Sequence, residues 1–183
     1  LSSGIPAVKA YVELGDISDF DLDRKFDFII APFRVIQNLD TDDQVNGLFR
    51  GIRNHLKPDG TCILNVFKPN RNRDELVGYW QSQDEKQDWE TRIDGDRLTR
   101  HSRVVRVDPQ NLVVYPELVY RRYRGDDLAD ETILSIAMRC YYPEEFISLI
   151  EDKGFKVRDR WGGYAGESYG DGPELVVQFD DSA

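Results

Sequence analysis

Apolar and polar residues alternate from Val8 to Leu14, with Val8, Ala10, Val12 and Leu14 on one side and Lys9, Tyr11 and Glu13 on the other. A period of two predicts a strand, ending at Gly15-Asp16. Asp16 to Lys25 is polar and turn-rich. Phe26 to Phe33 (FDFIIAPF) is a continuous apolar run, which suits a strand buried on both faces of a parallel sheet, with Pro32 marking its end. From Thr41 to Leu56 the period becomes helical, with Val45, Leu48, Phe49, Ile52 and Leu56 on one face. Thr41 and Gln44 form a capping-box pair, and Lys57-Pro58-Asp59-Gly60 is expected to stop the helix. Thr61 to Phe67 (TCILNVF) reads as a second buried strand. Strand, helix and strand in this order form a βαβ unit with a right-handed crossover.

The pattern changes after Phe67. Asp74 to Gln81 reads as a short helix, and Trp89 to Tyr142 as successive long strands. Asp94-Gly95 and Asp108-Pro109-Gln110-Asn111 are turn signals within that block. Pro143 to Lys153 is a second long helix, with Pro143 at its first position, Glu144 and Glu145 in its first turn and Gly154 at its cap. Phe155 to Trp161 and Glu174 to Phe179 are final strands, separated by a Gly/Tyr loop from Gly162 to Gly172. The expected fold class is α/β, a Rossmann-like sheet with an antiparallel β insertion. Residues 1–183 form a single domain in this reading, with 1–70 and 141–183 as the Rossmann-like part and 71–140 as the insertion.

Composition narrows the function. The 183 residues carry 24 Lys and Arg against 34 Asp and Glu, a formal net charge of −10. Such a surface repels phosphate backbones and anionic lipid, so neither nucleic acid nor membrane is an expected partner. Cys62 and Cys140 lie in apolar runs and read as buried thiols of a reducing compartment, hence a cytoplasmic protein. Two histidines without a Cys/His cluster predict no metal site. His55 reads as a dipole partner at a helix end, and His101 as an exposed strand residue.

Ligands of open α/β sheets sit at the carboxyl ends of the strands. Gly15-Asp16-Ile17, Ala31-Pro32-Phe33-Arg34 and Phe67-Lys68-Pro69-Asn70 hold such positions. Taken singly, Asp16 is an ordinary turn residue and Pro32 an ordinary strand breaker. Taken in order, GDISDFDL, KFDFIIAPFRVIQNL, LFRGIRNHLKPDGTCILNVF, YYPEEFISLIEDKGFKV and PELVVQF resemble the class I S-adenosylmethionine-dependent methyltransferases of the small-molecule branch. The resemblance covers most of the chain outside the insertion.

That resemblance implies S-adenosylmethionine as cofactor and methyl transfer to a small-molecule substrate. It places Asp16 at the adenine amino group and Ile17 on the adenine ring. Pro32, Phe33 and Arg34 fall beside the methionine part and the transferred methyl, and Gln37 and Asn38 in the segment flanking the cofactor. Many relatives carry His where Asn38 stands; if that His serves as a base in them, this chain lacks it. Substrate contacts are expected from the insertion and the Gly/Tyr loop, with Trp89, Arg103, Tyr120, Tyr141 and Tyr164 as candidates. On alternate sheet positions, Arg and Tyr also serve simply to cover a solvated face.

The chain departs from the family at its front. The glycine-rich cofactor loop and the acidic residue for the ribose hydroxyls have no counterpart, since Gly4 alone does not match. The chain is therefore expected to be a C-terminal fragment that binds cofactor weakly or not at all and is inactive by itself, with a homodimer formed through the open sheet edge or the insertion. The competing reading is a non-catalytic α/β binding or dimerisation module. A nucleotide-binding enzyme of another kind is disfavoured, because neither a phosphate-loop motif nor G-x-G-x-x-G after a strand is present.

Overall fold

The structure is a computed structural model and describes residues 10–181. Its first sheet has the order β1-β2-β9-β8. β1 (Phe26–Ala31) and β2 (Leu56–Phe67) are parallel, with Ile29 opposite Cys62 and Ala31 opposite Leu64. α1 (Asp42–His55) connects them, as the βαβ pattern requires. β9 (Glu174–Asp181) runs antiparallel between β2 and β8 (Phe155–Trp161), so β1, β2 and β8 share one direction. α3 (Pro143–Asp152) leads into β8.

The helices begin where their caps predict. Thr41 Oγ1 accepts from the Gln44 backbone N–H at 3.3 Å, and Gln44 Oε1 accepts from the Thr41 N–H at 3.2 Å. The apolar face of α1 then packs onto the sheet. Leu48, Phe49 and Ile52 join Cys62, Leu64, Phe146, Ile150, Phe155, Val177 and Phe179 in one buried cluster. Burial of this apolar surface is the main force holding helix to sheet.

Sheet two contains β3 (Lys86–Ile93), β4 (Asp96–Asp108), β5 (Val113–Arg124) and β6 (Asp127–Ser135), all antiparallel, with the short β7 (Met138–Arg139) paired to the start of β5. It begins three residues before Trp89, at Lys86. Asp94 and Gly95 are both left-handed, at φ 52° and 88°, as a two-residue hairpin turn matching the strand twist needs. α2 (Arg73–Gln81) carries its own capping box between Asn72 and Glu75. The two sheets are tied beside a 3₁₀ turn at Val35–Asn38: Tyr115 donates to Asp40 at 3.1 Å, and Arg139 pairs with Asp42 at 2.7 Å.

Three expectations need correction. Residues 10–14 form no strand, and Val12 and Leu14 stand in solvent; Val8 and Lys9 lie outside the described residues. Alternation supplies only one face, and a strand also needs a partner for its backbone. β1 is not buried on both faces: Phe28 and Ile30 are 51% and 47% exposed, because the core cluster with α1 and α3 lies on the other face, where Ile29 and Ala31 pack. Lys57–Gly60 does not end one element and precede another. α1 passes directly into β2 at Leu56, and these four residues bulge out between the Phe26–Leu56 and Phe28–Thr61 pairs.

Candidate functional site

The segment preceding β1 lies against α1 and bounds an open cleft of about 430 Å³. Its lining is largely apolar: Ile17 and Phe20 from the segment, Ile29 and Ala31 from the end of β1, Leu48 and Ile52 from α1. Asp16 stands at the rim. Its Oδ1 accepts from the Ser18 backbone N–H at 2.8 Å and from Ser18 Oγ at 2.7 Å. These bonds, the backbone one first, hold its carboxyl below the ordinary value, so it is a carboxylate at neutral pH. Both fall on Oδ1, which leaves Oδ2 to accept from a ligand amine.

Beyond Ala31 the chain turns sharply. Phe33 and Arg34 are consecutive non-glycine residues in the left-handed region, at φ 58° and 62°. Each such residue costs roughly 1–2 kcal/mol, so the surrounding structure must hold the turn. Asn65, fully buried in β2, accepts the Arg34 backbone N–H on Oδ1 at 3.0 Å. Its amide nitrogen donates to Glu174 Oε2, while the Arg34 guanidinium takes Glu174 Oε1 and lies 5.7 Å from the Phe67 ring centre. The Phe33 side chain is left 91% exposed. Tyr164 stands close by: partial burial and the Glu174 carboxylate raise its phenol above the ordinary value.

The expected cofactor residues therefore fall into two neighbouring groups. Asp16 and Ile17 line the cleft; Phe33 and Arg34 form the strained turn after β1, with half-buried Pro32 leading into it. Gln37 is different. It is buried, its Nε2 donates to the Arg139 carbonyl at 2.8 Å, and its Oε1 accepts from the Phe67 N–H at 2.8 Å. The amide is spent at both ends, so Gln37 clamps β2 to β7 and offers a ligand little.

The expected substrate residues do not converge. Trp89 and Tyr120 meet edge-on at 6.2 Å on one face of the second sheet. Arg103 pairs with Glu117 at 2.7 Å on the opposite face, because residues 117 and 120 of β5 have opposite parity. Tyr141 is corrected to a core residue: it packs on Phe146 at 5.5 Å, and burial pushes its phenol up to about 12. Only Tyr164 is linked to the turn after β1, through the Glu174 carboxylate that also holds Arg34. Its loop is bonded to itself, with the Gly162 N–H donating to the Glu167 carbonyl at 2.8 Å and Lys68 donating to the Gly170 carbonyl. That makes it a tied connector and not an open flap.

Asn65, Glu174 and His55 were not legible as site residues. The one available signal was Asn65, a lone amide in the apolar run TCILNVF. His55 stands in the last turn of α1, as expected, but is buried there and accepts from the Leu22 N–H at 2.9 Å. His101 is half-buried, with Glu85 3.4 Å from its ring. Both thiols are buried, and burial pushes that of Cys140 up to about 12. Among the described residues, no three His, Cys, Asp or Glu cluster as a metal site, and no helix is long and apolar enough to cross a membrane.

Solved structures share this fold. The chain superposes on an S-adenosylmethionine-dependent methyltransferase from Clostridium acetobutylicum with a TM-score of 0.70 at 15% identity, covering 96% of this chain and 66% of that one. The CcbJ methyltransferase of Streptomyces caelestis gives 0.69 at 16% identity, covering 93% and 63%. CalS10 from Micromonospora echinaspora, an amino pentose methyltransferase solved with S-adenosylmethionine bound, gives 0.59 at 22% identity, covering 90% and 62%. The fold is that of the class I methyltransferases. The chain spans less than two thirds of the length of each of these proteins. No family model matches the chain, and no curated protein does.

Proposed function

We propose that this chain carries the adenine side and the transfer side of a site for S-adenosylmethionine-dependent methylation of a small molecule. One observation carries the reading: an ionised Asp16 with an unused oxygen stands at the rim of an apolar cleft, beside the end of β1, in a methyltransferase fold. The donor set suits a purine nucleoside. Asp16 Oδ2 accepts from the exocyclic amine, and Ile17 and Phe20 cover the ring. A cleft of this size falls in the range of small-molecule sites. The ribose acid and the glycine-rich loop have no counterpart in these residues, so the fit extends to the nucleoside base and the strand ends.

When bound, the cofactor supplies an electrophilic methyl on a sulfonium. The chain's own residues position and shield. The Asn65–Arg34–Glu174 network holds the turn after β1, Phe33 presents an aromatic ring there, and the Tyr164 phenol lies within reach of the Glu174 charge. Catalysis by a site of this kind rests on alignment and exclusion of water. The acceptor meets Phe33 at the turn after β1, whereas Trp89, Arg103 and Tyr120 stand on the two faces of the second sheet and do not share one site.

Calorimetric titration of the 183-residue chain with S-adenosylhomocysteine tests the reading. Binding that weakens about tenfold in Asp16→Ala, the effect of one hydrogen bond to a charged group, supports it. Equal binding by both proteins, or none by the wild type, counts against it. A second reading is favoured by one observation: β3 and β6 are exposed along their whole lengths at the two edges of the second sheet. Exposed edges invite pairing, and a homodimer through this sheet would show as a doubled mass in sedimentation equilibrium.

A further inference from the structure

Residues Ser18 to Leu22 run along one face of α1, where Gly47, Gly51 and His55 succeed one another at intervals of four. Such positions lie one above another on a helix. A Cβ on Gly47 would overlap the Ser18 carbonyl oxygen, and one on Gly51 would overlap the Phe20 ring. The two glycines thus let the segment lie directly on the helix backbone. At the third position a side chain is present, and it grips the segment.

His55 is 3% exposed, and both ring nitrogens are engaged. Nδ1 lies 2.7 Å from the Gly51 carbonyl oxygen, which can only accept, so Nδ1 carries the proton. Nε2 lies 2.9 Å from the Leu22 N–H, which can only donate, so Nε2 accepts. The Phe20 ring packs on the imidazole at 5.0 Å and 33°. Asp21 Oδ1 is 3.3 Å from Nε2 on the exposed side. The segment is therefore seated at Ser18, Phe20 and Leu22 in turn, and its N-terminal part carries Asp16 and Ile17 over the cleft.

We propose that His55 is a positioning residue for the ligand site: by fixing the Leu22 backbone against α1, it sets the depth at which Phe20, Ile17 and the Asp16 carboxylate stand over the cleft. The proposal rests on the methyltransferase reading for the identity of the ligand, but not for the seating itself. A purely structural histidine would stabilise the molecule as a whole. A positioning histidine acts on this segment and its ligand, and any side chain with an acceptor at the place of Nε2 replaces it.

Two measurements on the 183-residue chain test this: amide hydrogen exchange at Leu22 without ligand, and calorimetric binding of S-adenosylhomocysteine. His55→Leu is expected to lose Leu22 protection and to weaken binding about tenfold, the effect of one buried hydrogen bond transmitted to the site. His55→Gln, whose side-chain oxygen can accept from Leu22, is expected to restore both. Gly47→Ala supplies a second variant. Its Cβ meets the Ser18 backbone carbonyl and displaces Ser18, so binding should weaken. Should His55→Leu fail to fold, His55→Gln and Gly47→Ala decide by the same readouts. Unchanged Leu22 exchange in His55→Leu, or a His55→Gln protein that behaves like His55→Leu, overturns the proposal. If the wild type binds no S-adenosylhomocysteine, the methyltransferase reading fails. Leu22 protection lost in His55→Leu and regained in His55→Gln then still supports the seating, and protection unchanged in both overturns it.

Discussion

The backbone N–H of Arg34 donates to Asn65 Oδ1 across 3.0 Å, joining the left-handed turn after β1 to the interior of β2. The same Asn65 side chain donates to Glu174, which also holds the Arg34 guanidinium, so backbone and side chain of one residue are fixed through a single buried amide. Asn65→Leu keeps the volume and removes both bonds. It leaves the Arg34 N–H and one Glu174 oxygen without their partner. A loss of about 2–3 kcal/mol is expected, in the range for stranding buried polar groups, measurable as a lower midpoint in urea. An unchanged midpoint would mean that the turn holds itself.

Phe33 makes the opposite case. Its backbone is left-handed and its ring is almost wholly in solvent, so the residue carries strain with little burial to offset it. Strain retained at an exposed position is a mark of function. Phe33→Gly should stabilise the chain by roughly 0.5–1 kcal/mol. Where methyl transfer by the protein is assayed, the same change should slow transfer, since the aromatic ring is gone. A glycine variant that is both less stable and equally active would show that the ring has a packing role instead.

What was legible in the sequence follows the range of the interactions. α1 and α3 were readable because their signals, the Thr41–Gln44 box and Pro143 with its acidic first turn, are local. The antiparallel block was readable from Asp94-Gly95 and from strand parity. The exposure of Phe28 and Ile30 was not, because a strand's burial is decided by neighbours that its own residues do not name. The site was half legible for the same reason. Asp16, Phe33 and Arg34 lie in recognisable segments, whereas Asn65 matters through a residue 31 positions away and Glu174 through one 109 positions away. His55 acts across 33 positions. Val8–Leu14 shows the converse error: alternation is a property of strands, but it does not supply a partner.

Phe49, Phe155 and Phe179 form a triangle under α1, with ring centres 5.8, 6.2 and 5.1 Å apart. It joins the helix to β8 and β9, and the Arg53 guanidinium lies 4.5 Å from the Phe155 ring centre. Phe155→Ala opens a cavity that both other rings border, and a cost of about 3–5 kcal/mol is expected. Phe155→Leu, which keeps most of the volume, should cost less than half of that. Thermal unfolding of the two variants checks the ordering. Equal effects would indicate that the aromatic geometry, and not the filled volume, is what the core needs.

Glu85 binds the Arg121 guanidinium at 2.6 Å, with Arg103 and His101 also at its carboxylate. The hydrogen bond from Arg121 is the main cause holding its carboxyl below the ordinary value of 4.5. A carboxyl depressed on folding stabilises the protein at pH values above its unfolded value. That contribution is lost as the pH falls through the lower, folded one. Glu85→Gln cannot ionise, so it lacks the contribution at every pH. Wild type should therefore melt above Glu85→Gln at neutral pH, by a margin within the roughly 1 kcal/mol of a solvent-facing pair. The margin should close as the pH is lowered from about 5 to about 3. A difference in melting temperature that stays constant across that window would show that Glu85 stabilises the second sheet by packing and not by charge.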